Sequence, residues 1–508
     1  MSFYFAIQST LNIKNMKTKT ILFLLSILLY LICFYDQNFG MNILLFTPWL
    51  LVTQAILFPA ILRNSKWWLS VATSFITAFA CWYTNSYAAI PILVFLLSFS
   101  AVLILHQRTI FIHLITAAFN WIWNIPGMSS DYLKRKKESG NNTMHYVLLS
   151  IIPFIITMVF IFLYASANPV FEWLLEKIDL SFIKFSLIVC FLVGFYMLYL
   201  FFFPKREEVL SALEFYMPER LQSGDYQPSP FSKNEYLSGI ILLSMLNIVL
   251  LLFNITDLIT YFATDTLPDG MSYSGLVHQG VGTMIFSIVL AIGIILYFYR
   301  GNQNYNPNKT LLSLSLIWIV QNIIMVLVIF WKNGLYIQEY GLTYKRIGVY
   351  IWLGLCIGGL ITTLIKISQQ KSIYFLLKSN VAITFFTLTL VLSFNWDRTI
   401  AWYNLNHCRQ KNPDFAYLLS LSSSVYPELT EYIIKHDAPI PTELYYNLDM
   451  RAMLTNNEGF LSSNFERKRI AESWETLKEY RIKKDKMIIP SYQYNTIFTA
   501  TTANHEQR

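Results

Sequence analysis

Eleven stretches of mostly apolar residues fill the chain between Ile21 and Phe394, and they limit its fold more than any other feature. A helix needs about 20 such residues to cross the hydrocarbon core of a bilayer. The stretches run approximately over Ile21–Tyr35, Asn42–Leu62, Trp67–Tyr83, Ala88–His106, Tyr146–Ala165, Phe182–Phe203, Tyr236–Phe262, Gly280–Tyr299, Leu311–Trp331, Ile347–Ile367 and Ile373–Phe394. The first and third are short. The first follows Lys14, Lys17 and Lys19, as a signal peptide would, but no small-residue cleavage site follows Cys33. It is therefore predicted to be a retained anchor, with Met1 to Ile13 as an apolar leader lying on the membrane.

Composition supports this architecture. The chain is 55% hydrophobic and only 13% charged, which excludes a soluble enzyme or a nucleic-acid-binding module as its main business. Cys33, Cys81, Cys190 and Cys356 lie in apolar stretches and Cys408 has no partner, so a disulfide scaffold is excluded too. Twenty-eight charged residues crowd into Trp396–Arg508, fourteen of each sign, which marks a polar C-terminal region. Leu418, Leu419 and Leu421, then Leu429, Tyr432 and Ile433 after Pro427, repeat with helical spacing there, and a charged stretch follows from Asn464 to Lys486.

The fold class expected is all-α: a polytopic transmembrane helix bundle of about 11 spans with a small helical extramembrane C-terminal domain. Residues 1–20 form the N-terminal segment and 21–394 the transmembrane domain. The loop 107–145 carries an interfacial helix marked by Phe119, Trp121 and Trp123. Residues 395–486 form the helical domain, and 487–508 a flexible tail. No internal repeat of the transporter kind is visible.

Lys and Arg in short loops set orientation. With the N-terminus in the cytoplasm, eighteen of them fall inside and five (Lys177, Lys184, Lys332, Lys345, Arg346) outside. The predicted location is thus the cytoplasmic (inner) membrane, N-terminus cytoplasmic and C-terminus extracytoplasmic. The formal charge of +8 reflects this topology and does not point to nucleic acid.

Four motifs carry a resemblance. They are Tyr164-Ala-Ser-Ala-Asn-Pro-Val-Phe171, Val277-His-Gln-Gly-Val281, Glu339-Tyr-Gly-Leu-Thr-Tyr-Lys-Arg346 and Asn395-Trp-Asp-Arg-Thr-Ile-Ala-Trp-Tyr-Asn-Leu405, followed by Asp414-Phe-Ala-Tyr-Leu-Leu-Ser420 and Pro427-Glu-Leu429. From about the fifth span onward the chain resembles the bacterial polytopic membrane family known as domain of unknown function 4153, with its relative 4173. The resemblance implies a membrane protein of the bacterial cell envelope and carries over no catalytic or binding residue.

All four motifs fall at the predicted outer ends of spans, which points to an outward-facing site. Its candidate members are Asn168, His278, Tyr340, Thr343, Arg346, Asp397 and Arg398: hydrogen-bonding groups, an imidazole and two fixed guanidinium charges. Helix-capping loops also use Asn, Gly and Thr, so a purely structural role competes with this reading. Arg346 sits at a span mouth on the side where positive charge is disfavoured and calls for an acidic partner. Asp397 or Glu339, lipid phosphate, and an anionic solute are the alternatives. Deeper in the membrane, Asn247, Asn254, Gln321 and Asn322 either bond neighbouring helices or line a solute path.

Enzyme signatures are missing. His106 and His113 lack a third ligand, Gly280 and Gly282 make only a lone Gly-x-Gly, and no phosphate loop or nucleophile elbow occurs. No metal, cofactor or catalytic residue is expected. The expected function is a non-catalytic envelope sensor, scaffold or assembly factor. The alternatives are a transporter or flippase of an anionic or lipid-linked solute, and an enzyme acting on a lipid-linked substrate through His278 or Asp397. The partners this allows are the lipid bilayer, an anionic lipid or solute near Arg346, and an envelope protein bound through 395–486.

Overall fold

The computed structural model describes residues 2–85, 87–105, 110–121, parts of 153–168, 185–204, 219–220, 232–262, 273–299, 308–407, 413–484 and 488–489. They are almost entirely helical, and the chain is an all-α polytopic bundle. Ten of the eleven apolar stretches coincide with helices, whereas most of Tyr146–Ala165 lies outside the described residues. Phe185–Phe202, Asn234–Ile259, Lys309–Tyr340, Tyr344–Ser368 and Ile373–Leu392 are each long and apolar enough to cross a membrane. A sixth joins them if Ala89–Leu105 and Ile110–Trp121 count as one broken span, and Thr18–Phe34, Met41–Leu57 and Gly282–Phe298 are shorter apolar helices.

The chain packs as two compact units. The first comprises Met1–Trp82, Ile90–Glu208 and Gly459–Ser463. Helix α1 (Ser2–Phe34) runs unbroken through the expected leader, followed by α2 (Met41–Leu57), α3 (Ser65–Thr84), α4 (Ala89–Val102), α5 (Ile110–Trp121) and α6 (Phe185–Phe202). Phe23 of α1 meets Phe195, Phe202 and Phe203 edge-on, with ring centroids 5.4–5.7 Å away. Gly194 of α6 lies under the Tyr30 ring, where a Cβ would fall 2.3 Å from a ring carbon, so only glycine permits that approach. Asn42 closes the turn into α2. Its Nδ2 donates to the carbonyls of Cys33 and Asn38, and its Oδ1 accepts from Gly40 N–H. Helix α5, in the loop predicted to be interfacial, buries Ile112, His113, Leu114 and Ala117.

The second unit comprises Tyr83–Ala89, Val209–Glu458 and Asn464–Arg508. Its long helices are α7 (Ser232–Phe262), α8 (Tyr273–Phe298), α9 (Lys309–Tyr340), α10 (Tyr344–Ser368) and α11 (Ile373–Leu392). Side-chain oxygens of Asn308 and Ser372 accept backbone N–H groups at the starts of α9 and α11 and so fix where these helices begin. Leu243, Ile288, Ile319, Val326 and Leu360 form their core.

Short helices follow: α12 (Trp396–Asn406), α13 (Phe415–Leu419), α14 (Tyr426–Lys435), α15 (Thr442–Asn456) and α16 (Phe465–Lys484). Asn395 and Asp414 cap α12 and α13. These helices share a core of Ile400, Phe415, Leu429, Ile433, Leu444 and Leu477 that continues onto Ile347 and Ile351 in the first turns of α10. The terminal helices are thereby mounted on a membrane span through apolar packing. Ile488–Ile489 pair in parallel with Ile440–Pro441, and the rest of the predicted tail lies outside the described residues.

Candidate functional site

The deep polar residues form a ladder along the α7–α9 seam. Asn247 Nδ2 donates to the Leu314 carbonyl at 3.0 Å, and Asn254 Nδ2 donates to the Gln321 carbonyl at 3.1 Å. Seven residues on one helix thus match seven on the other, so α7 and α9 run parallel. Gln321 Nε2 crosses the seam to Asn247 Oδ1 at 2.8 Å, while Asn322 donates to Trp318 O of its own helix. Farther along, Lys332 donates to both carboxylate oxygens of Asp257, at 2.9 and 2.8 Å. The loop charge count places Lys332 on the outer side, and the fold joins it to Asp257. Two buried acceptors of the ladder, Asn254 Oδ1 and Gln321 Oε1, have no hydrogen-bond partner among the described residues.

Arg346 stands at the turn between α9 and α10, and its charge is used locally. Its Nη1 donates to the carbonyls of Tyr340, at 2.8 Å, and Gly341, and its guanidinium lies 4.0 Å from the centre of the Tyr336 ring. No ion pair with Asp397 or Glu339 forms among the described residues. The C-terminal carbonyls of a helix attract cations, so α9 itself supplies the negative potential. Thr343 precedes the first turn of α10 in extended conformation without a side-chain cap bond. Tyr340 packs its ring on Tyr336, with centroids 5.1 Å apart.

The same turn is clamped by a residue that sequence reasoning missed. Asn404 of α12 accepts from Leu342 N–H at 2.5 Å and returns a bond to Leu342 O at 3.0 Å, as one strand would pair with another. Gly341, at φ +82°, lies beneath it, and a Cβ there would come within 2.7 Å of Asn404 Oδ1. Asp397 is engaged as well: Tyr344 OH donates to its Oδ1 at 2.5 Å and Ser422 N–H to its Oδ2 at 3.3 Å.

Arg398 belongs to a second cluster. Its Nε donates to Glu428 Oε1 at 2.9 Å, as does Arg469 Nη2 at 2.8 Å. Glu466, fully buried, lies 3.6 Å from Arg469 and 4.0 Å from Arg398. Burial pushes its carboxyl up to about 7; Arg469 and Arg398 oppose the rise and Glu428 adds to it.

The fold therefore brings Tyr340, Thr343, Arg346 and Asp397 to one junction, with Arg398 one residue on. Asn168 is exposed and belongs to the other unit. His278 lies on α8, and its side chain is outside the described residues. Among the described residues no group of three or more His, Cys, Asp or Glu is placed to hold a metal ion. Asn404 and Glu428 lie within the quoted motifs but have no spacing that marks them individually, and Glu466 is one acid among many in a charged tail.

The family model described as Domain of unknown function (DUF4153) matches residues 23–432. No curated protein and no solved structure matches the chain.

Proposed function

The chain belongs to the domain of unknown function 4153 family, and from that premise, which assigns no activity, we propose a non-catalytic scaffold, sensor or assembly factor of the bacterial cell envelope. One observation carries this reading: the polar residues at the α9–α10 turn are engaged in holding the terminal helices. Arg346 binds the turn's carbonyls, Asn404 pairs with Leu342, and Asp397 receives Tyr344 and Ser422. Groups so occupied fix an orientation and are not aimed at a substrate. The residues after Asn395 then present a rigid surface to an envelope partner. Eighteen inner against five outer cations support the inner membrane, with the N-terminus in the cytoplasm and the C-terminal helices outside.

The test is co-purification in mild detergent. The full chain should retain a partner, and Asn404→Leu, which releases the clamp on Leu342, should lose it while the spans stay folded. A partner retained equally by both, or by neither, contradicts the proposal. Paired reporters fused after Leu405 and within residues 265–274 test sidedness, and both should report outside.

A second reading has its own support. The unpartnered oxygens of Asn254 and Gln321 lie deep in the bundle, as a transporter or flippase would require for solute contact. Uptake abolished by Gln321→Leu in a folded protein would favour it.

A further inference from the structure

Four buried side-chain atoms without a hydrogen-bond partner among the described residues gather where α12, α14 and α16 meet: Glu428 Oε2, both carboxyl oxygens of Glu466, and Arg469 Nη1. A native core leaves few such atoms unsatisfied, and elsewhere in the terminal helices Thr430 Oγ1 alone shares their state among the described residues. The arrangement is specific. Glu428 keeps one oxygen for two guanidinium groups, from Arg398 and Arg469, and leaves the other bare. Glu466 faces the same two arginines only from 3.6 and 4.0 Å, too far or too poorly aligned for a hydrogen bond.

We propose that Glu466 is a proton-binding site, through which the terminal helices respond to the pH of the compartment they face. Two carboxylates and two guanidinium groups would be electrically neutral. Yet Glu428 already holds the close contacts with both cations, so an ionised Glu466 would be a buried charge without a donor. A proton resolves this, because a neutral carboxyl loses far less on leaving water and gains an O–H that a bare carboxylate oxygen can accept. The charged groups facing Glu466 are Arg398 from α12, Glu428 from α14 and Arg469 from its own helix. The neighbouring Arg467 is directed to Glu458 and Asn85. The position in the first turn of α16 favours the ionised form, and burial without donors outweighs it.

Ionisation on the alkaline side places a second negative charge between the arginines and competes with Glu428 for them. Arg398 lies six residues beyond the end of α11, so the competition is felt at the exit of the last span. This inference is independent of the scaffold reading, since it needs neither a partner nor a particular sidedness.

Infrared titration of the full chain in detergent or nanodiscs tests it by following the protonated-carboxyl band. A band should vanish as pH rises, with a midpoint near 7. Glu466→Gln, an isostere of the neutral form, should delete that component. Glu428→Gln should move its midpoint down by removing the like charge and freeing both arginines. If carboxyl bands titrate only in the ordinary glutamate range, or if the neutral-range component survives in Glu466→Gln, the proposal is wrong. Should Glu466→Gln fail to fold, an unmoved midpoint in Glu428→Gln overturns it equally.

Discussion

Lys332 grips Asp257 with one ammonium group shared between both carboxylate oxygens, linking α9 to α7 within the bundle. Both side chains are well buried, at 7% and 15% exposure. Removing one partner takes the buried counter-charge from the other, whereas removing both takes the charges away together. Lys332→Met alone and Asp257→Leu alone should each cost about 3–5 kcal/mol, and the double variant should recover most of the loss. Thermal unfolding of the three variants in one detergent checks this. Additive losses in the double variant would mean that the two residues act independently.

Gln321→Leu removes the donor to Asn247 from a seam that keeps its other bonds. Interhelical bonds of this kind contribute about 0.6 kcal/mol in membranes, so the variant should unfold only slightly earlier than the native chain.

Gly341→Ala tests the clamp. The left-handed φ and the close approach to Asn404 both oppose a side chain, and a cost of about 1–3 kcal/mol is expected. Hydrogen exchange should quicken in α12 and in the α9–α10 turn, while the α7–α9 seam stays protected.

Gly40→Ala probes the first unit. A Cβ there would lie 2.5 Å from the backbone oxygens of both Ser462 and Ser463, whose segment is held by Met41 N–H and Gln37. A loss of about 1–3 kcal/mol should follow, with protease access opening at residues 459–463.

Much of the bundle is legible in the chain because apolar length and helix-capping residues are local signals. The stretch Leu311–Trp331 announces α9, and Asn308 and Ser372 mark helix starts. What cannot be read is partnership. Asp257 and Lys332 lie 75 positions apart, and only the parallel packing of α7 and α9 brings them together. Arg346 seemed to need an acid, but the carbonyls ending its neighbouring helix serve instead, and backbone groups leave no trace in a sequence. Glu428 and Glu466 look like ordinary surface acids of a charged tail until folding buries both.

Arg346 holds the turn between α9 and α10 through the carbonyls of Tyr340 and Gly341. Hydrogen–deuterium exchange of the full chain in nanodiscs, comparing native protein with Arg346→Ala, tests it most directly. Protection should fall at residues 340–346 and across Trp396–Asn406, because the turn that Arg346 fixes is the one Asn404 clamps. Unchanged protection in both segments would contradict the account and return the Arg346 charge to an anionic lipid or solute.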